Sequence, residues 1–314
     1  MRGDLCVVGL GGNSIIPANR AGTIAEQRAL TRSTMAQVAE QIAAGVQVVL
    51  THGNGPIIGN IALRNEAMAH AIPPMPLDVC GADSQGGVGY MVQQALQNEL
   101  QRVGVKRDVV TLVTQVEVDP HDPAFGDPTK PIGPFYTPQQ AEKLRRDKGW
   151  ILRDDAGRGL RRLVPSPRPL RIVEIAVIRT LVEDGVIVNC VGGGGIPVVR
   201  RGDERVGVEA VIDKDHTAAV LATQLQARRL ILLTAVETVM RGFGTPAQSP
   251  LHRIGRDEAE ALLAAGEFPA GSMGPKIRAA LDFLQAGGDE AVISDPQHLS
   301  AALAGATGTH IGAD

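Results

Sequence analysis

Short aliphatic runs alternate with amphipathic stretches along most of the chain. LCVVGL (5–10), VQVVLTH (46–52), VVTLVTQVEV (109–118), VIVNCVGG (186–193), RLILLTAV (229–236) and EAVISD (290–295) are apolar on both faces and predict strands. Helical patterning falls near 23–44, from GNGPIIG onward, near 84–103, and over 171–184, 215–227, 256–266, 273–287 and 298–305. A Pro-rich link, PPMPLD (73–78), and the glycine-bearing CGADSQGG separate the second and third helices. Strands buried on both faces and alternating with helices predict an α/β protein. The expected form is a three-layer αβα sandwich around an open, mainly parallel sheet.

The rhythm breaks between about 119 and 167. Eight prolines fall there (Pro120, Pro123, Pro128, Pro131, Pro134, Pro138, Pro165 and Pro167), with many charges and one helical candidate near 138–148. Rigid prolines combined with aromatics in PAFGDPTKPIGPFY argue against a floppy linker. The stretch reads as an inserted, protruding subdomain placed to act as a lid. The remainder reads as one domain over 1–314, with an N-terminal lobe 1–213 and a C-terminal lobe 214–314.

Composition narrows the function. Acids and bases are interspersed at a net charge of −3, with no basic stripe, which argues against nucleic acid. No apolar run reaches the roughly 18 residues needed to cross a bilayer. The opening MRGDLCVVGLGG reads as a first strand rather than a leader, so a cytoplasmic location is expected. Cys6, Cys80 and Cys190 are odd in number and widely spaced, which fits neither a disulfide framework nor a zinc site.

Three glycine clusters follow strands: GLGGNS (9–14), HGNGPIIG (52–59) and VGGGGIP (191–197). Glycine there lets backbone N–H groups converge on an anion with no Cβ in the way. Three such turns at strand carboxyl ends define a ligand crevice that includes Gly193 and Gly194. There is no GxxxxGK[ST] P-loop, no complete dinucleotide fingerprint after Gly9, and no HRD or DFG segment.

Lysine usage sharpens this picture. Only six of the 31 basic residues are lysine, and three of them lie in turn-like segments: Lys130 in TKPIGPF, Lys214 in AVIDKDH and Lys276 in GSMGPKI. A chain that strongly prefers arginine keeps lysine where a compact ammonium must enter a narrow, glycine-walled space. Lys106, Lys143 and Lys148 look like ordinary surface lysines. Asp215, at a helix start, is a candidate cap and a candidate brace between Lys214 and a second lysine. His52 and His216 receive no proton-transfer role.

GLGGN, THGNGP, CGADSQGGVGY, DPAFGDPTKPIGPFY, RRLVPSPRP, CVGGGGIPV, GVEAVIDKDHTAAVLA and GSMGPKIRAALDF, in this order, resemble the carbamate kinases of the amino acid kinase superfamily. The resemblance runs from about 5 to about 295. It implies the amino acid kinase fold and phosphoryl transfer between ATP and carbamate, with Mg2+ arriving on the nucleotide. Under it, Gly11, Gly12 and Asn13 embrace the phosphoryl group. Gly53, Asn54 and Gly55 form part of the carbamate pocket and the phosphoryl-binding turn, and Ser84 is a further phosphate- or substrate-binding residue. Lys130 enters from the lid; Lys214 and Lys276 hold nucleotide phosphates; Asp215 orients both. The segment 233–244, including Thr234, Ala235, Val236, Met240 and Gly244, borders adenine together with Met273 and Gly274. No protein-held metal site is expected, and a homodimer is. The chain departs from the family at Asp83, where methionine is usual, at Ile57, where glutamine is common, and at Met240 and Phe243, where tyrosines are usual. Asp83 and Ile57 keep a sister kinase of another small carboxylate in view, and Met240 and Phe243 bear on adenine stacking and nucleotide preference; a catalytically weak carbamoyl-phosphate or nucleotide sensor is a third reading.

Overall fold

The computed structural model describes residues 4–15, 22–154, 157, 159–269 and 271–312. Its centre is an eight-stranded sheet. From one edge the strand order is Arg253–Gly255, Thr309–Gly312, Glu290–Ser294, Arg229–Leu233, Leu5–Leu10, Gln47–His52, Ile187–Asn189 and Val109–Thr111. All neighbouring pairs from Glu290–Ser294 to Val109–Thr111 are parallel; Thr309–Gly312 runs against its neighbour Glu290–Ser294.

Alternation along the first strand builds the two helical layers. Cys6, Val8 and Leu10 pack with Met35, Val38 and Ile42 of the helix Ile24–Ala43 and with Val92 and Leu96 of the helix Leu77–Arg102. Leu5 and Val7 face the opposite way, into a cluster with Leu221 of the helix Lys214–Leu225 and Phe283 of the helix Met273–Gln285. Burying each such aliphatic side chain contributes about 1.5–3 kcal/mol, which explains why so few aromatics suffice.

Several sequence expectations need correcting. The third helix does not begin near 84. It starts at Leu77 and runs through CGADSQGG; Gly81, Gly86 and Gly87 stay in the helix with open space before them, and it is Gly89, just beyond, that serves packing. A Cβ on Gly89 would lie 2.2 Å from Thr111 Cγ2 on the adjoining strand. The run 109–118 is two strands, and its second half, Gln115–Val118, belongs to a separate four-stranded sheet. Residues 171–172 end a strand of that sheet, Pro169–Ile172, so the helix predicted over 171–184 is only Ile175–Glu183. The predicted strand 186–193 ends at Asn189 and gives way to a 3-10 turn, Gly192–Gly194. The hairpin Ile196–Arg201 with Glu204–Gly207 and the last strand, Thr309–Gly312, are additions.

Within the 119–167 stretch, Lys130–Tyr136, Leu160–Val164 and Ile151–Asp154 form their own three-stranded sheet, carrying the helix Pro138–Lys148. Trp150 packs there edge-on to Tyr136 and beneath the Arg162 guanidinium. This subdomain lies down on the body. Ile132 and Val164 share an apolar cluster with Ile58, Leu77, Cys80 and Val211, and Val211 N–H donates to Pro165 O at 3.0 Å. Lys148 is not an idle surface lysine; it pairs with Glu66 of the helix Gly55–Ala67. No helix among the described residues is long and apolar enough to cross a membrane.

Candidate active site

The strand order places four loops side by side. Arg229–Leu233, Leu5–Leu10, Gln47–His52 and Ile187–Asn189 are parallel neighbours, so Thr234, Gly11–Gly12, Gly53–Gly55 and Gly193 emerge along one edge. There they line a cleft of about 480 Å³, completed by Lys130, Ile132, Asp213, Lys214, Asp215, Ser272, Pro275 and Lys276.

Each glycine has a distinct reason. A Cβ on Gly11 would lie 2.5 Å from Leu233 O, and one on Gly53 would press on Lys214 Cδ at 3.3 Å. Gly193 and Gly194 adopt positive φ values of 69° and 95°. A Cβ on Gly193 would strike Asn54, and one on Gly194 would strike Ile212 O. By contrast, Gly12 and Gly55 have open space before them, and that space belongs to the cleft. Asn13 follows in the 3-10 turn Gly12–Ser14, but its side chain lies outside the described residues. Ser84 is fully buried and does not line the cleft. It accepts a hydrogen bond from Asn54 Nδ2 at 2.7 Å and thereby fixes the Asn54 turn.

Three helices begin at the cleft, at Gly55, Lys214 and Met273. Among the described residues, neither the Gly55 nor the Met273 helix has its N-terminus capped by a side chain; Pro56 and Pro275 carry no N–H and Ile57, Ile58 and Gly274 donate to backbone carbonyls, so what each end offers an anion is chiefly positive potential. The Lys214 helix is capped, and by Asp213 rather than by Asp215. Asp213 Oδ1 accepts from Asp215 N at 2.9 Å and from His216 N at 3.4 Å.

The lysines converge. Lys214 Nζ donates to Asp215 Oδ1 at 2.5 Å, and Lys276 Nζ, 61 positions further along, donates to Asp215 Oδ2 at 2.9 Å. Lys130 reaches down from the lid strand and donates to Asp213 Oδ2 at 2.6 Å. Burial, followed by the repulsion of Lys276, pulls the Lys214 ammonium below its ordinary range, and Asp215 counters both. Burial works to raise the Asp215 carboxyl, but the two lysines outweigh it and hold the group below the usual carboxylate range. Asp213 is likewise held low against burial, chiefly by Lys130 and His216. Three ammoniums and two carboxylates leave one net positive charge, in a site that also presents two helix N-termini. Such an arrangement accepts a polyanion and neutralises charge moving between oxygens.

His52 is fully buried behind the glycine turns, where a Cβ on Gly192 would collide with its ring. Burial lowers its pKa to about 4, so it is neutral and shapes the turn.

Of the expected nucleotide residues, only Thr234 lines this cleft. Ala235, Val236 and Met240 lie on the strand and turn beyond it. Gly244 sits in an exposed bend, Met273 packs partly into the core, and Gly274 is buried. Asp83 and Ile57 do not face the lysines; both line a different surface cleft, with Arg28, Arg64 and Tyr90. Asp213 is the charged cleft residue to which the sequence assigns no role. Its N-cap position, two residues before Asp215, is the signal that would have found it.

Residues 4–295 match the Amino acid kinase family. The chain is 48% identical over 307 residues to the carbamate kinase of Pyrococcus horikoshii, covering 97% of this chain and 98% of that protein. It is 48% identical over 314 residues to the carbamate kinase-like protein YahI of Escherichia coli, covering 98% of each. The solved structure of the carbamate kinase from Giardia lamblia bound to AMP-PNP superposes with a TM-score of 0.93 at 46% identity, covering 99% of both chains.

Proposed function

The chain belongs to the amino acid kinase family, and on that premise we propose that it is a carbamate kinase, an ATP-dependent phosphotransferase moving a phosphoryl group reversibly between ATP and carbamate. The carrying observation is the shared carboxylate of Asp215, which holds Lys214 and Lys276 together at the mouth of the glycine turns.

In this reading the N-terminal lobe, 1–213, takes carbamate and the C-terminal lobe, 214–314, takes the nucleotide. The carbamate oxygen is already ionised, so no general base is required, and the neutral, buried His52 is unsuited to be one. Catalysis is alignment plus charge neutralisation. Gly12 and Gly55 leave room for the transferring group, and the positive potential of the helix N-termini attracts its oxygens. Lys214 and Lys276 follow the charge toward the leaving phosphate, while Lys130 covers the acceptor side from the lid. Among the described residues no three His, Cys, Asp or Glu side chains cluster for a metal, and Asp213 and Asp215 are engaged by lysines. This donor set fits Mg2+ carried by nucleotide phosphates and water, where it would neutralise phosphate charge. Carbamoyl phosphate is a strong phosphoryl donor, which favours ATP synthesis in nitrogen or arginine catabolism. A cytoplasmic homodimer completes the proposal.

The two family departures that suggested another carboxylate acceptor, Asp83 and Ile57, lie outside the lysine cleft and lend that alternative no support. The test supplies ADP, Mg2+ and carbamoyl phosphate and measures ATP. Rapid formation supports the reading. Binding without turnover would point to a sensor, and turnover only with another acyl phosphate would point to a sister kinase.

A further inference from the structure

Between the hairpin strand Glu204–Gly207 and the Lys214 helix runs Val208–Asp213, and every second residue of its end meets the lid. Glu209 Oε2 lies 3.7 Å from Arg162 Nη2. Val211 N–H donates to Pro165 O, and its side chain packs with Ile132 and Val164. Asp213 accepts from Lys130 at 2.6 Å. The two acids each do a second job on the body side. Glu209 Oε1 accepts from Leu77 N at 2.7 Å, at the start of the Leu77 helix, and Asp213 caps the Lys214 helix through its other oxygen. One short segment therefore grips the lid with one set of atoms and two helix starts with another.

We infer that Glu209, Val211 and Asp213 form a clasp that couples lid closure to the pose of the phosphate-holding lysines, with Asp213 as the positioning residue for Lys130. The inference rests on reading the cleft as the site of phosphoryl transfer. Asp213 has no reacting atom to touch. It works by placing the Lys130 ammonium over the cleft and, through the cap, by fixing the first turn from which Lys214 and Asp215 project. Closure and lysine geometry then share a carboxylate, so an open lid loosens one of its two holds.

Asn is itself a good N-cap, because its side-chain oxygen accepts from the same N–H groups. Asp213→Asn therefore keeps the cap and removes the charge facing Lys130. Closure can be read without any substrate. Cys6 and Cys190 sit on the central sheet, whereas Cys80 is buried in the cluster shared with Ile132 and Val164 of the lid. Alkylation of Cys80 in the full-length protein, located by mass spectrometry, thus reports lid opening.

The experiment compares wild type, Asp213→Asn, Lys130→Met and the double variant. Expected results are Cys80 labelling accelerated roughly tenfold or more in Asp213→Asn, as for loss of one charge-assisted hydrogen bond, and kcat/KM for ATP formation reduced roughly 10²-fold, as for misplacing a reacting group's partner. The double variant should be no worse than Lys130→Met alone. Wild-type labelling rates in Asp213→Asn, or losses that multiply independently in the double variant, overturn the clasp. If wild type makes no ATP from carbamoyl phosphate, the assigned reaction is wrong, and the labelling comparison alone still decides whether Asp213 holds the lid.

Discussion

Gly59 and Gly133 meet backbone to backbone: a Cβ on Gly59 would lie 2.7 Å from Gly133 N and 2.8 Å from its Cα. Gly59 is in the helix that begins at the cleft, and Gly133 is in the lid strand that carries Lys130. The pair sets how deeply the lid can seat.

Gly59→Ala should therefore separate stability from activity. Alanine inside a helix gains about 0.5–1 kcal/mol over glycine. Forcing a methyl against backbone costs about 1–3 kcal/mol, unless the lid lifts. Unseating the lid would expose Ile132 and Val164 at about 1.5–3 kcal/mol each, so the cheaper response is a small local shift of the lid strand at Gly133. Stability should change by no more than about 2 kcal/mol while kcat/KM falls roughly 10²-fold and nucleotide binding persists. Unchanged turnover in this variant would show that the lid's seat does not matter.

Lys214 and Lys276 should not tolerate arginine. Their side chains are 13% and 12% exposed and share one carboxylate, with the methylenes of Lys214 against Gly53. A planar guanidinium there must displace the glycine turn or Asp215. Lys→Ala at either position is expected to lower the rate about 10²–10³-fold, the cost of losing one preorganised charge donor, and Lys→Arg should recover little of it. A fully active Lys214→Arg enzyme would contradict the shape argument.

Asp215→Asn should move the alkaline limb of the pH–rate profile. Lys214 works as an ammonium, and burial together with Lys276 already pulls its pKa down; Asp215 is its main counterweight. Removing that charge lowers the pKa further, so the proton is lost at lower pH. The alkaline fall in ATP formation should shift toward neutrality by roughly 1–3 pH units, the usual effect of one adjacent opposite charge. An alkaline limb that stays in place, measured at saturating ADP, would exclude this role.

What the sequence made legible follows the range of each signal. Lysines 130, 214 and 276 stood out against 25 arginines, and their neighbourhoods were glycine turns whose physics is local. Asp213 was overshadowed because two aspartates flank Lys214 and either could cap; only tertiary contact with Lys130, 83 positions earlier, separates their jobs. The hairpin Ile196–Arg201 with Glu204–Gly207 was not predicted, although Gly202–Asp203 between Arg201 and Glu204 is a two-residue turn signal. The start of the helix at Leu77 was not legible. Gly81, Gly86 and Gly87 imitate a loop in sequence although they stay helical with open space before them, and only the approach of Thr111 reveals Gly89 as a packing site.

His52 should make the protein acid-sensitive in a defined window. Its folded pKa, about 4, lies below the ordinary 6.5 because burial penalises the charged ring. Between these values the unfolded chain binds a proton that the folded chain does not, so stability rises with pH across the window and falls as pH drops through it. A separation of this size corresponds to about 3 kcal/mol. His310 works in the opposite sense: Glu290 raises its pKa, so its contribution is complete below the unfolded value and fades as pH rises through the folded one. Total stability mixes the two, and a comparison isolates His52. In urea titrations at pH 7 and pH 4.5, His52→Gln should be less stable than wild type at pH 7, because the ring's packing in its fully buried site is lost, yet should lose less on acidification. An equal acid loss in both proteins would mean that the ring is not the group that must stay neutral.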